Sequence, residues 1–118
     1  MQDFRNLRAW RAARELRRQV YDVSRQFPAE ERYALTAQLR DAASSVMRNL
    51  AEGCGRQSDA DFARFVHHAL GSLFETEDAL IQALDCGLLD EERFKELEAR
   101  VCEVRRMLCA LLRRLRAS

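Results

Sequence analysis

Residues 94–115 carry the pattern that most restricts how this chain can fold. Seven apolar residues follow one another at spacings of three and four without a break: Phe94, Leu97, Val101, Val104, Leu108, Leu111 and Leu115. This alternation is the a/d pattern of helices that pack in bundles. Asp90 precedes it as an N-cap, with Glu91 and Glu92 in the first turn. The stretch therefore predicts a long helix with one face buried against other helices.

Three earlier stretches also have helical periodicity. They predict a first helix over about Asp3 to Gln26, a second over about Ala29 to Glu52, and a third that begins after the N-cap Ser58 and runs to about Asp85. Their core stripes are Ala9, Ala13, Leu16, Val20, Val23 and Phe27 in the first; Leu35, Leu39, Ala42, Ala43, Val46 and Leu50 in the second; and Phe62, Val66, Ala69, Leu73 and Leu80 in the third. The first helix is expected to end at Pro28, the second at the pair Gly53 and Gly55, and the third at Gly87.

Four helices of about 25 residues joined by short loops predict the fold class. It is an all-α, left-handed, antiparallel up-down-up-down four-helix bundle, with residues 1–118 as a single domain. One proline and four glycines in 118 residues fit such a helical chain.

Several polar residues lie too close to the core stripes to be ordinary surface positions. Gln38, Ser45, Asn49 and Glu52 follow one flank of the second helix, and Glu77 projects into the apolar arc of the third. A carboxylate pair can perform acid–base chemistry, but no nucleophile, metal site or oxyanion site accompanies this one. The pattern favours a buried polar network that fixes the register of these two helices, with Arg40 or Asn49 as the partner of Glu77. No catalytic residue and no cofactor is predicted.

The histidines and cysteines do not form a metal site. His67 and His68 are adjacent, so their side chains diverge by about 100° on a helix. Cys54, Cys86, Cys102 and Cys109 show no C-x-x-C spacing, and free thiols favour a reducing cytoplasm. No apolar run approaches the roughly 18 residues of a membrane span, and the N-terminus has no signal peptide pattern. We expect a cytoplasmic protein without membrane contact.

Two segments resemble a known family. QLRDAASSVMRNLAEGCGRQS (residues 38–58) and FARFVHHALGSLFETE (residues 62–77) are similar to the signature of the 23S rRNA intervening-sequence proteins. The opening segment resembles the same family at Phe4, Leu7, Trp10, Ala13, Tyr21, Phe27, Pro28, Glu31, Tyr33 and Leu35. The chain departs from the family pattern at Met47, where proline is common, at Ala34, where glycine is usual, and at Asp41, where a basic residue is usual. The first departure predicts a straighter second helix.

The resemblance implies a bacterial four-helix-bundle protein without established enzymatic activity. Some relatives are encoded inside intervening sequences of rRNA genes. A similar bundle, the accessory variability protein of diversity-generating retroelements, forms a homopentamer and works with a reverse transcriptase and nucleic acid. That likeness is one of fold, and a fold does not carry a function with it.

Apolar residues outside the core stripes predict self-association. The first helix carries Leu7, Trp10 and Tyr21 outside its core stripe, and the third carries Phe74 and Ile81. Contiguous apolar patches of this kind are uncommon on monomers. The periodicity predicts a homo-oligomer, and the number five comes from the resemblance. The arginines between Trp10 and Tyr21 leave open whether this face stacks on bases or contacts protein; the second core-like face favours protein.

Charge is distributed unevenly along the chain. Residues 1–28 carry seven arginines against three acids, and residues 100–118 carry six arginines against one glutamate. In an up-down bundle these segments meet at one end, together with the end of the second helix. The resulting basic pole consists of Arg5, Arg8, Arg11, Arg48, Arg56, Arg113, Arg114 and Arg116. It predicts weak, salt-sensitive binding of RNA or DNA through the phosphate backbone. The alternative is a scaffold that binds only a protein partner.

Overall fold

The computed structural model describes residues 3–117, and these residues form four α-helices and no β-strand. The helices are α1 (Arg8–Ser24), α2 (Leu35–Cys54), α3 (Asp59–Asp85) and α4 (Glu91–Ala117). Short 3₁₀ helices, Phe4–Asn6 and Ala29–Glu31, precede α1 and α2. The predicted all-α class with four helices is confirmed. Within the described residues, no helix is both long enough and apolar enough to cross a bilayer.

The first two helices start later than the sequence predicts. Leu7 interrupts the first with an extended backbone (φ −78°, ψ 120°), and its side chain is buried. The second begins at Leu35, the first residue of its core stripe. Tyr33, just before that point, is 89% exposed. Residues 29–34 bring no side chain to the core, so only the 3₁₀ turn and a following turn form there.

The predicted caps of α3 and α4 are confirmed. The hydroxyl of Ser58 accepts a hydrogen bond from the Asp61 amide at 3.1 Å, and the Asp90 carboxylate accepts one from the Arg93 amide at 2.8 Å. Gly87 ends α3 with φ 75°, which glycine adopts at little cost. The Leu88 amide then donates to the Ala83 carbonyl at 2.9 Å, as in a Schellman motif.

Contacts between helices join each helix to the next one in the chain. The end of α1 meets the start of α2 where Arg40 donates to Ser24 at 2.8 Å. Ser45 and Ser72 join α2 to α3, and Arg105 approaches Glu77 between α4 and α3. The start of α1 and the end of α4 line one groove, which closes the bundle. The bundle measures 45 × 24 × 20 Å; its up-down order and left-handed twist stay predictions.

The core occupies the centre of this bundle. Every residue predicted for the core stripes of the first three helices is buried. In α4 the five central positions are buried, whereas Phe94 and Leu115, at the two ends, are half-buried against the core. Met47 is also buried, and α2 runs without a break from Leu35 to Cys54. This packed core fixes which side chains lie at each end of the bundle.

Gly53 lies inside α2 rather than stopping it as predicted. A Cβ at this position would lie 2.7 Å from the Phe62 ring and 3.1 Å from Cβ of Phe65. Helix α3 therefore approaches the backbone of α2 where only a hydrogen fits. Gly55 is the C-cap of α2.

Candidate nucleic-acid interface

A groove at the end of the bundle brings together arginines from two helices. The groove has a volume of about 410 Å³ and lies between the start of α1 and the end of α4. Its lining includes Leu7, Met107 and Leu111 as an apolar floor, with Arg8 and Arg114 as its charged side chains. Both arginines are exposed. Neither forms an ion pair or a side-chain hydrogen bond with any residue from 3 to 117. Their donors are thus available to an anion.

Arg11 and Arg113 belong to the same helix ends and are also exposed. Within the described part of the chain, neither has an ion pair. Arg116 contacts His67 of α3, with Nη2 and Nε2 3.3 Å apart. This contact ties the end of α4 to the first half of α3.

Three arginines of the basic pole already have acidic partners. Arg5 holds Asp3 through two side-chain hydrogen bonds of 3.0 Å. Arg56 lies 2.8 Å from Glu52 and 3.7 Å from Asp61. Arg48 lies 3.4 Å from Asp41. These three arginines contribute less positive potential to the pole than the sequence count suggests.

The Asp3–Arg5 pair also shifts the ionisation of both groups. The side-chain hydrogen bonds from Arg5 lower the pKa of the Asp3 carboxyl, and the Arg5 amide lowers that pKa further. The same side-chain hydrogen bonds raise the pKa of Arg5. Asp3 is also the N-cap of the first 3₁₀ helix, because its carboxylate accepts from the Arg5 amide at 3.0 Å. The pair therefore fixes the chain just before the groove.

The sequence analysis omitted one arginine from this end of the bundle. Arg64 lies in the second turn of α3, 2.8 Å from Asp61, with its guanidinium 4.5 Å from the centre of the Phe65 ring. The Arg56 guanidinium lies 4.6 Å from the same ring. Phe65 is half-buried, so this end also holds an aromatic ring between two cations. The sequence could have placed Arg64 at this end of the bundle, because it follows the predicted N-cap Ser58 within two helical turns.

The polar flank of α2 forms a smaller network than predicted. The Ser45 and Ser72 hydroxyls lie 2.7 Å apart, and the Asn49 amide donates to the Ser45 carbonyl and hydroxyl. This part of the network joins α2 to α3 as expected. Gln38 and Glu52 are exposed, so their predicted half-burial is wrong.

Glu77 has a different partner from the one predicted. Arg105 of α4 lies 3.9 Å from its carboxylate, whereas the predicted partner Arg40 donates to Ser24 and covers the Tyr21 ring at 4.5 Å. Asn49, the other predicted partner, bonds Ser45 instead. No group of three or more metal-ligating side chains occurs among residues 3–117.

The five residues predicted for self-association differ in exposure. Leu7 is 7% exposed and belongs to the core, so its assignment to an outer surface is wrong. Trp10 is half-buried, edge-on to Phe4 with ring centres 5.0 Å apart. Tyr21 is half-buried too, whereas Phe74 and Ile81 are exposed. Four of the five therefore reach the surface.

Comparisons with known proteins support the same fold. The sequence profile of the family described as 23S rRNA-intervening sequence protein matches residues 5–110. A crystal structure from Bacteroides thetaiotaomicron VPI-5482, of a protein with unknown function from the S23 ribosomal protein family, has a TM-score of 0.81 to this chain. The two are 19% identical over 88% of this chain and 97% of that one, a likeness that shows the fold alone. No curated protein matches the chain.

Proposed function

Because the chain belongs to the 23S rRNA-intervening sequence protein family, we propose that it is a non-enzymatic, homo-oligomeric adaptor that binds the phosphate backbone of RNA or DNA through its basic pole. The observation that carries the proposal is the groove between α1 and α4. Arg8 and Arg114 flank it, both exposed and neither engaged by an acid of residues 3–117. The five-membered ring that the family resemblance implies would repeat this groove around an axis.

Arginine suits phosphate because its planar guanidinium offers several donors in a fixed geometry. Arg11 and Arg113 lie at the same helix ends and extend the positive surface beyond the groove. Backbone contacts of this kind position a nucleic acid but do not read its sequence. We therefore expect binding that tolerates any sequence and weakens steeply with salt.

The non-enzymatic part of the proposal follows from how the polar side chains are used. Ser45, Ser72 and Asn49 satisfy one another across the α2–α3 seam. Glu77 faces an arginine, and no nucleophile lies beside a base in this network. These groups hold the helices in register and leave nothing positioned for a substrate.

The test compares salt dependence in three proteins. Fluorescence anisotropy of labelled single-stranded RNA and double-stranded DNA gives Kd across a salt series for the wild type, for Arg8→Gln with Arg114→Gln, and for a control. The control, Arg32→Gln with Lys95→Gln, removes the same charge from exposed positions at the other end of the bundle. Each lost phosphate contact should flatten the slope of log K against log salt by about 0.7 to 0.9. The groove variant should lose about twice that, and the control almost nothing.

Two results would contradict the proposal. One is no binding by the wild type at low salt. The other is an equal slope and affinity in the groove variant and the control, because general charge would then explain the binding.

A second candidate, a scaffold that binds only a protein, is favoured by the exposure of Phe74 and Ile81 on α3. Absorbance at 260 nm that salt removes from the purified protein would support nucleic-acid binding. A pull-down that recovers a stoichiometric protein and no RNA or DNA would support the scaffold instead.

A further inference from the structure

A cluster of flat side chains lies where α2 ends and α3 begins. The guanidinium carbons of Arg56 and Arg64 lie 4.6 Å and 4.5 Å from the centre of the Phe65 ring. The His68 ring meets the Phe65 ring edge-on, with 5.7 Å between ring centres. Arg64 and His68 are exposed, whereas Arg56 and Phe65 are half-buried. We call Arg56, Arg64, Phe65 and His68 the planar cluster.

The planar cluster is held by the close approach of α3 to α2. A Cβ on Gly53 would lie only 3.1 Å from Cβ of Phe65. The backbone of α2 therefore packs directly against the base of the Phe65 side chain. The Ser58 hydroxyl, which accepts from the Asp61 amide at 3.1 Å, fixes the first turn of α3 just before it. The ring is thus held where both guanidinium groups reach it.

Acidic side chains balance the charges of the planar cluster. Asp61 lies 2.8 Å from Arg64 and 3.7 Å from Arg56. Glu52 lies 2.8 Å from Arg56. Two arginines thus face two carboxylates, and a phosphate would have to compete with acids that are already in place. What the cluster offers a ligand is planar surface rather than net positive charge.

The planar cluster and the groove between α1 and α4 lie at the same end of the bundle. Arg116 of α4 contacts His67 of α3, with Nη2 and Nε2 3.3 Å apart. His67 directly precedes His68 of the cluster, and Arg116 follows Arg114 of the groove by two residues. The bundle is 24 × 20 Å across. A nucleic acid that lies across this end would therefore meet both sites.

The two sites suit different parts of a nucleotide. Guanidinium groups without an acidic partner, as in the groove, suit phosphate. Unpaired bases stack on aromatic rings, on histidine rings and on guanidinium planes, as in the planar cluster. The bases of a duplex already stack on one another, so only a strand with free bases can use both sites.

We propose that the basic pole selects unpaired nucleic acid, with phosphates on the groove arginines and one or two bases stacked on the planar cluster. This inference rests on the proposed function and names the kind of nucleic acid that the pole takes. Every base has a π-face, so the planar cluster tolerates any base. Stacking does not use the 2′-hydroxyl, so single strands of RNA and of DNA both fit.

Stacking and phosphate contacts respond differently to salt. Phosphate contacts release counterions and therefore weaken as the salt concentration rises, whereas stacking releases none. Loss of the planar cluster should lower the affinity at every salt concentration without changing the slope of log K against log salt. Loss of the groove arginines should flatten that slope. The salt series therefore separates the two sites.

The test measures Kd by fluorescence anisotropy for three labelled probes over a salt series. The probes are a single strand of about 12 nucleotides, within the range of single-strand site sizes, an abasic strand with the same number of phosphates, and the duplex of the first. The wild type should bind the single strand about 5-fold to 100-fold more tightly than the abasic strand, with an equal salt slope. RNA and DNA strands should give the same factor. The preference over duplex should grow with salt, because each phosphate contact contributes a slope of about 0.9 in a duplex and about 0.7 in a single strand.

Two variants alter the planar cluster and keep its charge. Phe65→Leu removes the ring but leaves an apolar side chain against α2. Arg56→Lys with Arg64→Lys keeps both charges and removes both planes. Each variant should weaken binding of the single strand by about 5-fold or more. Each should leave the affinity for the abasic strand and the salt slope unchanged.

Matched controls make the same substitutions elsewhere. Phe94 is also half-buried but lies in the first turn of α4, so Phe94→Leu is the control for the ring. Arg32→Lys with Arg93→Lys is the control for the planes, at exposed positions away from the groove and the cluster. Both controls should bind like the wild type. Thermal melts establish that each variant is folded, and the lysine variant decides the test if Phe65→Leu unfolds.

Three outcomes would overturn the inference and leave the basic pole standing. They are equal affinity of the wild type for the intact and abasic strands, unchanged single-strand affinity in both planar-cluster variants, and a duplex bound more tightly than the single strand at every salt concentration. A flatter salt slope in Phe65→Leu would also count against it, because the cluster would then hold phosphate. A wild type that binds none of the probes would overturn the basic-pole proposal and this inference with it. Normal binding by Arg8→Gln with Arg114→Gln, alongside losses in the planar-cluster variants, would overturn only the groove.

Discussion

The carboxylate of Glu77 on α3 lies 3.9 Å from a guanidinium nitrogen of Arg105 on α4. The side chains are 23% and 35% exposed, so water still reaches both charges. Arg105 also lies 3.1 Å from the Cys102 sulfur of its own helix. The pair bridges the α3–α4 seam at its partly wet edge rather than in the core.

Neutralising Glu77 should therefore cost little. We expect Glu77→Gln to lower the free energy of unfolding by less than about 1 kcal/mol, since partly solvated ion pairs contribute about 0.2 to 1 kcal/mol. The matched control is Glu75→Gln, an exposed residue of the same helix without an ion pair among residues 3–117. Urea unfolding of the three proteins measures the difference. Equal stability of the two variants would show that the pair contributes nothing, and a loss above about 3 kcal/mol would show a buried charge.

The core was predictable because it depends on periodicity alone. The spacing of Leu16 and Val20, or of Val101 and Val104, fixes which face of a helix is apolar, and that face must be buried in any bundle. The partner of Glu77 was not predictable in this way. Its position on α3 says only that it flanks the core stripe. Whether α2 or α4 lies beside it depends on how the helices are placed around the bundle.

The candidate site was predictable in part. The end of the bundle that collects Arg8 and Arg114 follows from helix order. The pairing of Arg56 with Glu52 was also predictable from the sequence, because residues at i and i+4 are neighbours on a helix. The burial of Leu7 was not, because it depends on an extended residue between a 3₁₀ turn and α1, and no periodicity marks such a break.

The Asp3–Arg5 pair should be visible in a pH titration. The pKa of Asp3 is lowered from 3.8, mainly by the side-chain hydrogen bonds from Arg5, so its folded state favours the ionised form. The stabilisation of this cap is present above pH 3.8 and is lost as the pH falls through the lower folded pKa. Carboxyl-detected NMR of the wild type should place the midpoint below 3.8.

Arg5→Gln should move that midpoint back toward 3.8, but only in part, because the amide of residue 5 still donates to the carboxylate. Arg8→Gln removes an arginine that makes no bond to Asp3, so the midpoint should stay in place. A midpoint that does not respond to Arg5→Gln would disprove the side-chain cause.

A double-mutant cycle should show that Ser45 and Ser72 act together. Their hydroxyls are 2.7 Å apart across the α2–α3 seam, and Ser72 is 6% exposed. Replacing either serine with alanine leaves the other hydroxyl without this partner, at a cost of about 1 kcal/mol. The double alanine variant should cost at least about 0.5 kcal/mol less than the sum of the single variants. Strict additivity would mean that the two hydroxyls do not depend on each other.

Ser44→Ala is the control for this cycle. Ser44 lies next to Ser45 on α2 and is half-buried, but it makes no side-chain hydrogen bond within the described residues. Its loss should change the free energy of unfolding by less than about 0.5 kcal/mol.

Alanine at two glycines of the bundle should change stability in opposite directions. At Gly53 the new methyl group would lie 2.7 Å from the Phe62 ring, which is itself buried in the core. Overpacking that costs about 1 to 3 kcal/mol should exceed the roughly 0.5 to 1 kcal/mol that alanine gains over glycine inside a helix. At Gly71, in the middle of α3, nothing lies within 4 Å of the added carbon. Gly71→Ala should therefore raise the melting temperature by a few degrees, and Gly53→Ala should lower it. Stabilisation by both substitutions would show that α2 and α3 can separate at Gly53 without cost.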